Sequence, residues 1–190
     1  MAIFDAHARD RLQVFIDGQN LFGTLRALEK KIDYKALIET LREETRFIRA
    51  QYFTTIRPNQ DNDKFHSVLD FLDFNGYSLV TKEVRDSMDG YGHVRTKGSM
   101  LVEMATQMLM GAMNGTDHIV LFSGDGELSA AVEACKMLDC RVSVVSSEAT
   151  RVISEDLRRV CDQYVDIEAL PSHIILDLDR SFRPSQQAAA

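Results

Sequence analysis

Short unbroken apolar runs recur along this chain, separated by stretches whose apolar positions repeat at helical spacing. Unbroken runs bounded by turn residues suit strands buried on both faces, and the helical stretches suit crossovers packed against them. The pattern predicts strands at 12–17, 47–56, 78–84, 118–123 and 141–146, with a short one at 164–167. Helices are expected at 19–30, 33–41, 64–75, 98–113, 127–138 and 153–163, the second capped by Asp33. Residues 58–63 read as a loop, and the glycine-rich, polar stretch 86–96 as a mobile loop. This alternation predicts an α/β fold with a mainly parallel central sheet and helices on both faces.

The first and fourth of the main apolar runs end alike. Val14-Phe15-Ile16 leads into Asp17-Gly18-Gln19-Asn20, and Ile119-Val120-Leu121-Phe122 leads into Ser123-Gly124-Asp125-Gly126-Glu127. Parallel strands that each release an acid at the C-terminal end would hold those acids at one crevice edge. Converging carboxylates repel, so such a cup is tolerable only with a cation or a proton inside it. Either acid alone is explained as well by helix capping, since Asp is a favoured N-cap and Gly a favoured turn former. The repetition, with Glu127 as a third acid, favours a hard-metal site.

The helix at 98–113 is apolar around most of its circumference, with one polar stripe of Glu103, Thr106 and Gln107. Such a helix is expected to be largely buried, with the stripe facing solvent or the crevice. Periodicity favours solvent. Met100, Met104 and Met108 recur every fourth position and read as core rather than as thioether ligands.

Composition narrows the class. A chain of 190 residues, 45% apolar and 27% charged, can bury a core without disulfides or a structural metal. Residues 1–10 read as an N-terminal extension, 11–170 as one domain and 171–190 as a tail, disordered over 183–190. No apolar run approaches the roughly 18–20 residues of a membrane span, and the opening residues lack a signal peptide's apolar core, so a cytoplasmic location without membrane contact is expected. Cys135, Cys140 and Cys161 fit neither a zinc spacing nor a disulfide framework and read as small buried residues or free thiols. The five histidines are scattered without ligand spacing; His118 reads as structural. A net charge of −7 argues against broad duplex binding, though not against a small nucleic-acid substrate at a local basic rim.

Three separated blocks carry a more specific signal. Phe15-Ile16-Asp17-Gly18-Gln19-Asn20-Leu21, then Lys97-Gly98 opening an apolar helix, then Leu121 through Leu128 resemble the NYN domain of LabA-type proteins, a branch of the PIN-like nuclease superfamily. The resemblance covers roughly residues 11–170. It implies a PIN-like three-layer α/β/α sandwich, an acidic pocket at the strand C-termini and, in members with a full acid set, divalent-metal-dependent cleavage of RNA phosphodiesters. Carried over residue by residue, Asp17, Asn20 and Asp125 match the family pattern, and Glu127 replaces its second Asp in the last block. Beyond Lys97-Gly98, three acidic positions of the pattern read Leu101, Glu103 and Gln107, so two of those acids are absent.

These residues define the candidate chemistry. Hydrolysis of a phosphodiester needs an activated water and neutralised phosphate oxygens, and carboxylate-held Mg²⁺ or Mn²⁺ supplies both. Because Mg²⁺ takes only one or two protein carboxylates, Asp17 and Asp125 with Glu103 or Glu127 suffice for one ion. A second would lack ligands, so metal affinity and turnover are expected to be weak. Asp17, Asp125 and Glu103 are the candidate metal ligands; Glu103 and Glu127 are alternative bases. Asn20 and Lys97 are the candidate binding residues, Lys97 lying where a helix N-terminus favours a phosphate. Two functions follow from different classes: a metal-dependent ribonuclease acting on single-stranded RNA, or an inactive NYN-like module for RNA or protein binding, with self-association as a further option.

Overall fold

The computed structural model describes residues 3–56, 63–88 and 94–178. Most of the expected 58–63 loop, the centre of the 86–96 segment and the low-complexity end lie outside them. The first half contains β1 (Arg11–Asp17), α1 (Gly18–Ala27), β2 (Lys30–Ile32), α2 (Tyr34–Glu44), β3 (Arg46–Ile56), α3 (Asp63–Phe74) and β4 (Tyr77–Glu83). A hairpin of β5 (Arg85–Met88) and β6 (Val94–Lys97) follows. The second half contains α4 (Leu101–Met113), β7 (His118–Phe122), a 3-10 turn (Gly126–Leu128), α5 (Ser129–Lys136), β8 (Arg141–Ser146), α6 (Glu155–Val160), β9 (Gln163–Asp166), a 3-10 turn (Ile167–Ala169) and β10 (Ile175–Asp177).

Six strands form one parallel sheet in the order β4-β3-β1-β7-β8-β9. The chain builds outward from β1 through β3 to β4, returns to the other side of β1 as β7, and builds outward again. The order therefore reverses between β1 and β7, and such a reversal leaves a crevice at the strands' C-terminal ends. One sheet face packs on α1, α2 and α3 through Leu12, Val14, Ile16, Leu21, Leu37 and Leu72. The opposite face packs on α4, α5 and α6 through Phe15, Phe53, Leu121, Met104, Val132 and Leu157. The expected three-layer α/β/α sandwich is what the chain forms. No helix among the described residues is long and apolar enough to cross a membrane.

The differences from the sequence reading have local causes. The first helix stops at Ala27 rather than at residue 30, because Glu29 turns into the left-handed region at φ 54° with no glycine to announce it. Lys30–Ile32 then forms β2, which pairs with β10 from the segment read as a tail. Phe4, from the segment read as an extension, and Ile174 are likewise buried in the first core. The expected mobile loop at 86–96 contains the paired arms β5 and β6; its glycines lie outside the described residues. The helix expected at 127–138 opens with a 3-10 turn and that at 153–163 shrinks to α6, capped by Ser154.

Helix α4 sits differently from expectation. Met100, Met104 and Met108 are in the core as expected, but Val102, Met110 and Met113 are exposed. Of the polar stripe, only Thr106 faces water, whereas Glu103 meets Lys82 of β4 and Gln107 accepts from Gln51 of β3.

The cap expected at Asp33 is present, its Oδ1 accepting from Ala36 N at 2.9 Å. Asp33→Ala should lower unfolding stability by about 1 kcal/mol. Urea denaturation checks this, and an unchanged midpoint would show the cap to be redundant.

Candidate functional site

The C-terminal edge of the sheet gathers two of the predicted acids. Asp17 ends β1 and caps α1, its Oδ1 accepting from Asn20 N at 3.1 Å. Asp125 follows β7 and caps the 3-10 turn, its Oδ1 accepting from Glu127 N at 2.9 Å. Each acid therefore does cap a helical segment, as the simpler reading held. Ser123 links them: its Oγ donates to Asp17 Oδ2 at 3.4 Å and accepts from Asp125 N at 3.2 Å. Asn20 closes the arrangement, since its Oδ1 accepts from Gly124 N at 3.0 Å and so ties the start of α1 to the loop after β7.

Two glycines make this approach possible. A Cβ on Gly18 would lie 2.5 Å from Cε1 of the Tyr52 ring, and one on Gly124 would lie 2.5 Å from Val152 O and 2.6 Å from Ser146 Oγ. Both distances fall inside van der Waals contact, so these glycines are needed for space.

Electrostatics distinguish Asp17 from an ordinary cap. Burial pushes its carboxyl above the usual carboxylate range, and the nearby charge of Asp125 pushes the same way, against the opposing hydrogen bonds from Asn20, Gln19 and Ser123. A group so disfavoured as a bare anion is favoured with a cation beside it. Two carboxylates match the one or two that Mg²⁺ ordinarily takes from a protein, the rest of its shell being water and phosphate oxygens. The pair does not fit a three-acid cage: among the described residues, no group of three His, Cys, Asp or Glu side chains is placed to hold a metal.

The other predicted residues make no side-chain bond to the pair among the described residues. Glu103 accepts from Lys82 Nζ at 2.7 Å, and that bond holds its carboxyl below the usual range. Glu127 is exposed, and its backbone N–H, not its carboxylate, contacts Asp125. Lys97 ends β6, at a position whose side chain lies outside the description. His118 lies at the opposite edge, buried with Nε2 2.7 Å from Ser143 Oγ, and burial lowers its pKa to about 4. Cys135 and Cys140 are buried and Cys161 is half-buried, all three as free thiols.

Sequence reasoning missed Ser123, and it placed Lys82 near a strand end, with Arg57, Arg85 and Arg95 as material for a basic rim, without making it a site residue. A serine directly after a buried strand and two residues before an acid was a usable signal for Ser123. Nothing in the sequence pairs Lys82 with Glu103.

Comparison with known proteins gives a consistent picture. The family model described as NYN domain matches residues 11–168. The "Low amplitude and bright protein LabA" of Synechococcus elongatus is 28% identical over 166 residues, covering 86% of this chain and 87% of that protein. A crystal structure of a protein of unknown function from Vibrio parahaemolyticus RIMD 2210633 matches with a TM-score of 0.72 at 20% identity, covering 91% of this chain and 100% of that one. That last likeness is one of fold.

Proposed function

Because the chain belongs to the NYN domain family, and so carries a PIN-like nuclease-family domain, we propose that it is a metal-dependent ribonuclease of low turnover acting on single-stranded RNA. The observation that carries this reading is the Ser123 bridge between Asp17 and Asp125, together with the raised proton affinity of Asp17. A buried carboxylate beside a second acid costs stability unless a cation serves both.

Asp17 and Asp125 would hold Mg²⁺ or Mn²⁺ between them. When bound, the ion supplies positive charge for the phosphate oxygens and lowers the pKa of a water. Ser123 orients the Asp17 carboxylate and holds the backbone of Asp125 beside it, and Asn20 keeps the loop after β7 against the start of α1. Glu127, exposed two residues past Asp125, is the carboxylate available to accept a proton from the attacking water. Leu101 offers no donor, and the Gln107 carbonyl is engaged by Gln51. One ion and slow chemistry are the consequence.

A second reading has an observation of its own in its favour: the lack of a three-acid cluster among the described residues suits an RNA-binding module without turnover. Incubating the protein with single-stranded RNA and Mn²⁺ separates the two. Slow cleavage that stops with a chelator and is lost in Asp125→Asn supports the nuclease. RNA binding without any cleavage at high enzyme excess supports the module and ends the catalytic proposal.

A further inference from the structure

We propose that Lys82 is a phosphate-contacting residue of the same sheet edge, held in place by Glu103, and that it takes a phosphate neighbouring the one at Asp17 and Asp125. The inference rests on the functional reading above and extends it to a residue outside the acid pair.

Register places Lys82. Asp17 is level with Phe53 of β3, and Thr55, two residues further along β3, is level with Lys82 of β4. Alternation puts Phe53 and Thr55 on one face of β3. Val80 packs in the core on the α4 side, so Lys82, two residues on, faces α4 too. Glu103 of α4 meets it there at 2.7 Å. The gap between Lys82 and the acids is spanned by Gln19 of α1, whose Nε2 donates to Thr55 Oγ1 at 2.6 Å. Two interstrand spacings, about 10 Å in all, separate β4 from β1. That exceeds the reach of one ion's ligand shell, whose bonds are roughly 2.1 Å, so Lys82 lies beside the metal locus without belonging to it.

Chemistry then assigns the role. An ammonium has three donors, and among the described residues a single carboxylate oxygen, Glu103 Oε1, occupies one here. The Lys82 side chain is 47% exposed, which leaves the remaining donors open to a solvent-borne ligand. The other Glu103 oxygen is buried and has no hydrogen-bond partner among the described residues, so Lys82 is the cation this carboxylate is seen to meet. Ion pairs at a surface ordinarily contribute little to stability. This one lies beside an acidic pair that must receive a polyanion, in a chain of net charge −7, where a cation fixed at the rim offsets the repulsion. Glu103 is on this account a positioning residue for Lys82 rather than a metal ligand.

The test reads the salt dependence of binding to a single-stranded RNA oligonucleotide by anisotropy, in Mn²⁺ and before cleavage accumulates. One phosphate contact to a single strand contributes about 0.7 to the slope of log K against log salt. Lys82→Met should weaken binding several-fold on any sequence and remove about that much slope. Lys82→Arg should keep the slope, and Arg46→Met, exposed at the opposite sheet edge, should leave it at the parent value. Glu103→Gln should leave Mn²⁺ affinity unchanged by calorimetry. A Lys82→Met slope equal to the parent's, with matching thermal melts, overturns the inference while the acid pair stands. So does a loss of Mn²⁺ affinity in Glu103→Gln as large as that in Asp125→Asn. A parent protein that binds no single-stranded RNA overturns the functional reading and this extension together.

Discussion

Asp17→Asn is expected to cut Mn²⁺ affinity by at least about 100-fold while leaving the metal-free protein as stable as its parent, or more stable, at neutral pH. Outer-shell partners of metal ligands alone cost roughly 10–100-fold when removed, so a direct ligand sets a higher floor. Stability should not follow affinity down, because Asn is as good an N-cap as Asp and keeps the bond from Asn20 N. The charge, in contrast, is unfavourable. Burial, and then Asp125, raise the folded-state pKa of Asp17 above its ordinary value. Between the ordinary pKa and the raised one, the unfolded chain has released its proton and the folded chain has not. Stability therefore falls as pH rises through that window, and stays lowered above it. Asn has no such titration, so the advantage of the variant should appear above the ordinary carboxylate range and vanish below it. Mn²⁺ should reverse the ranking, since an ion that binds only the folded parent stabilises the parent alone. Thermal melts across pH, with and without Mn²⁺, read both effects. A variant that keeps the parent's Mn²⁺ affinity would reduce Asp17 to a helix cap.

Gly124→Ala should cost about 2–3 kcal/mol, the upper part of the range for overpacking a filled interior. In a chain of this size that corresponds to a fall in Tm of roughly 5–10 °C. The cause is steric rather than conformational, because Gly124 lies outside the left-handed region. Its new methyl would meet a backbone oxygen, that of Val152, in a segment already pinned by the bond from Ser154 N to Gly124 O at 2.9 Å. A flexible side chain could step aside; this backbone cannot without releasing that bond. Displacement of Gly124 also strains the bond from its N–H to Asn20, so Mn²⁺ affinity should drop in the same variant. Gly23→Ala is the matched control, since nothing lies within 4 Å of the added carbon and Ala is the better helix former. It should raise Tm. Equal melts for Gly124→Ala and the parent would mean that the Val152 segment yields freely.

How much of this could be read in advance depended on how far the deciding interaction reaches. β1 and β7 were legible because both are buried on two faces and end in polar punctuation, Asp-Gly-Gln-Asn after one and Ser-Gly-Asp-Gly after the other, and that carried Asp17, Asn20 and Asp125 with them. β2 and β10 were not, since three residues rich in Lys or Asp give no alternation, and each exists only by pairing with the other. The pairing of β5 with β6 was hidden for another reason: a polar, glycine-rich composition reads as a loop and carries no sign of backbone pairing. The polar stripe of α4 was visible as a stripe, but its direction was not. Helical periodicity gives the angle between residues and leaves the rotation of the helix on the sheet open. That rotation is settled by Lys82 and Gln51, on strands whose register the α4 sequence does not contain.

The hydrogen bond from Ser123 to Asp17 joins positions 106 residues apart. Contacts of such separation close late, after the intervening chain has been ordered. On the ribosome, Asp17 is made early yet remains a lone acid until β7 has emerged and docked beside β1. A nascent chain, or a fragment cut before Ser123, thus carries the first half of the acid pair with neither its partner acid nor the hydroxyl that links the two.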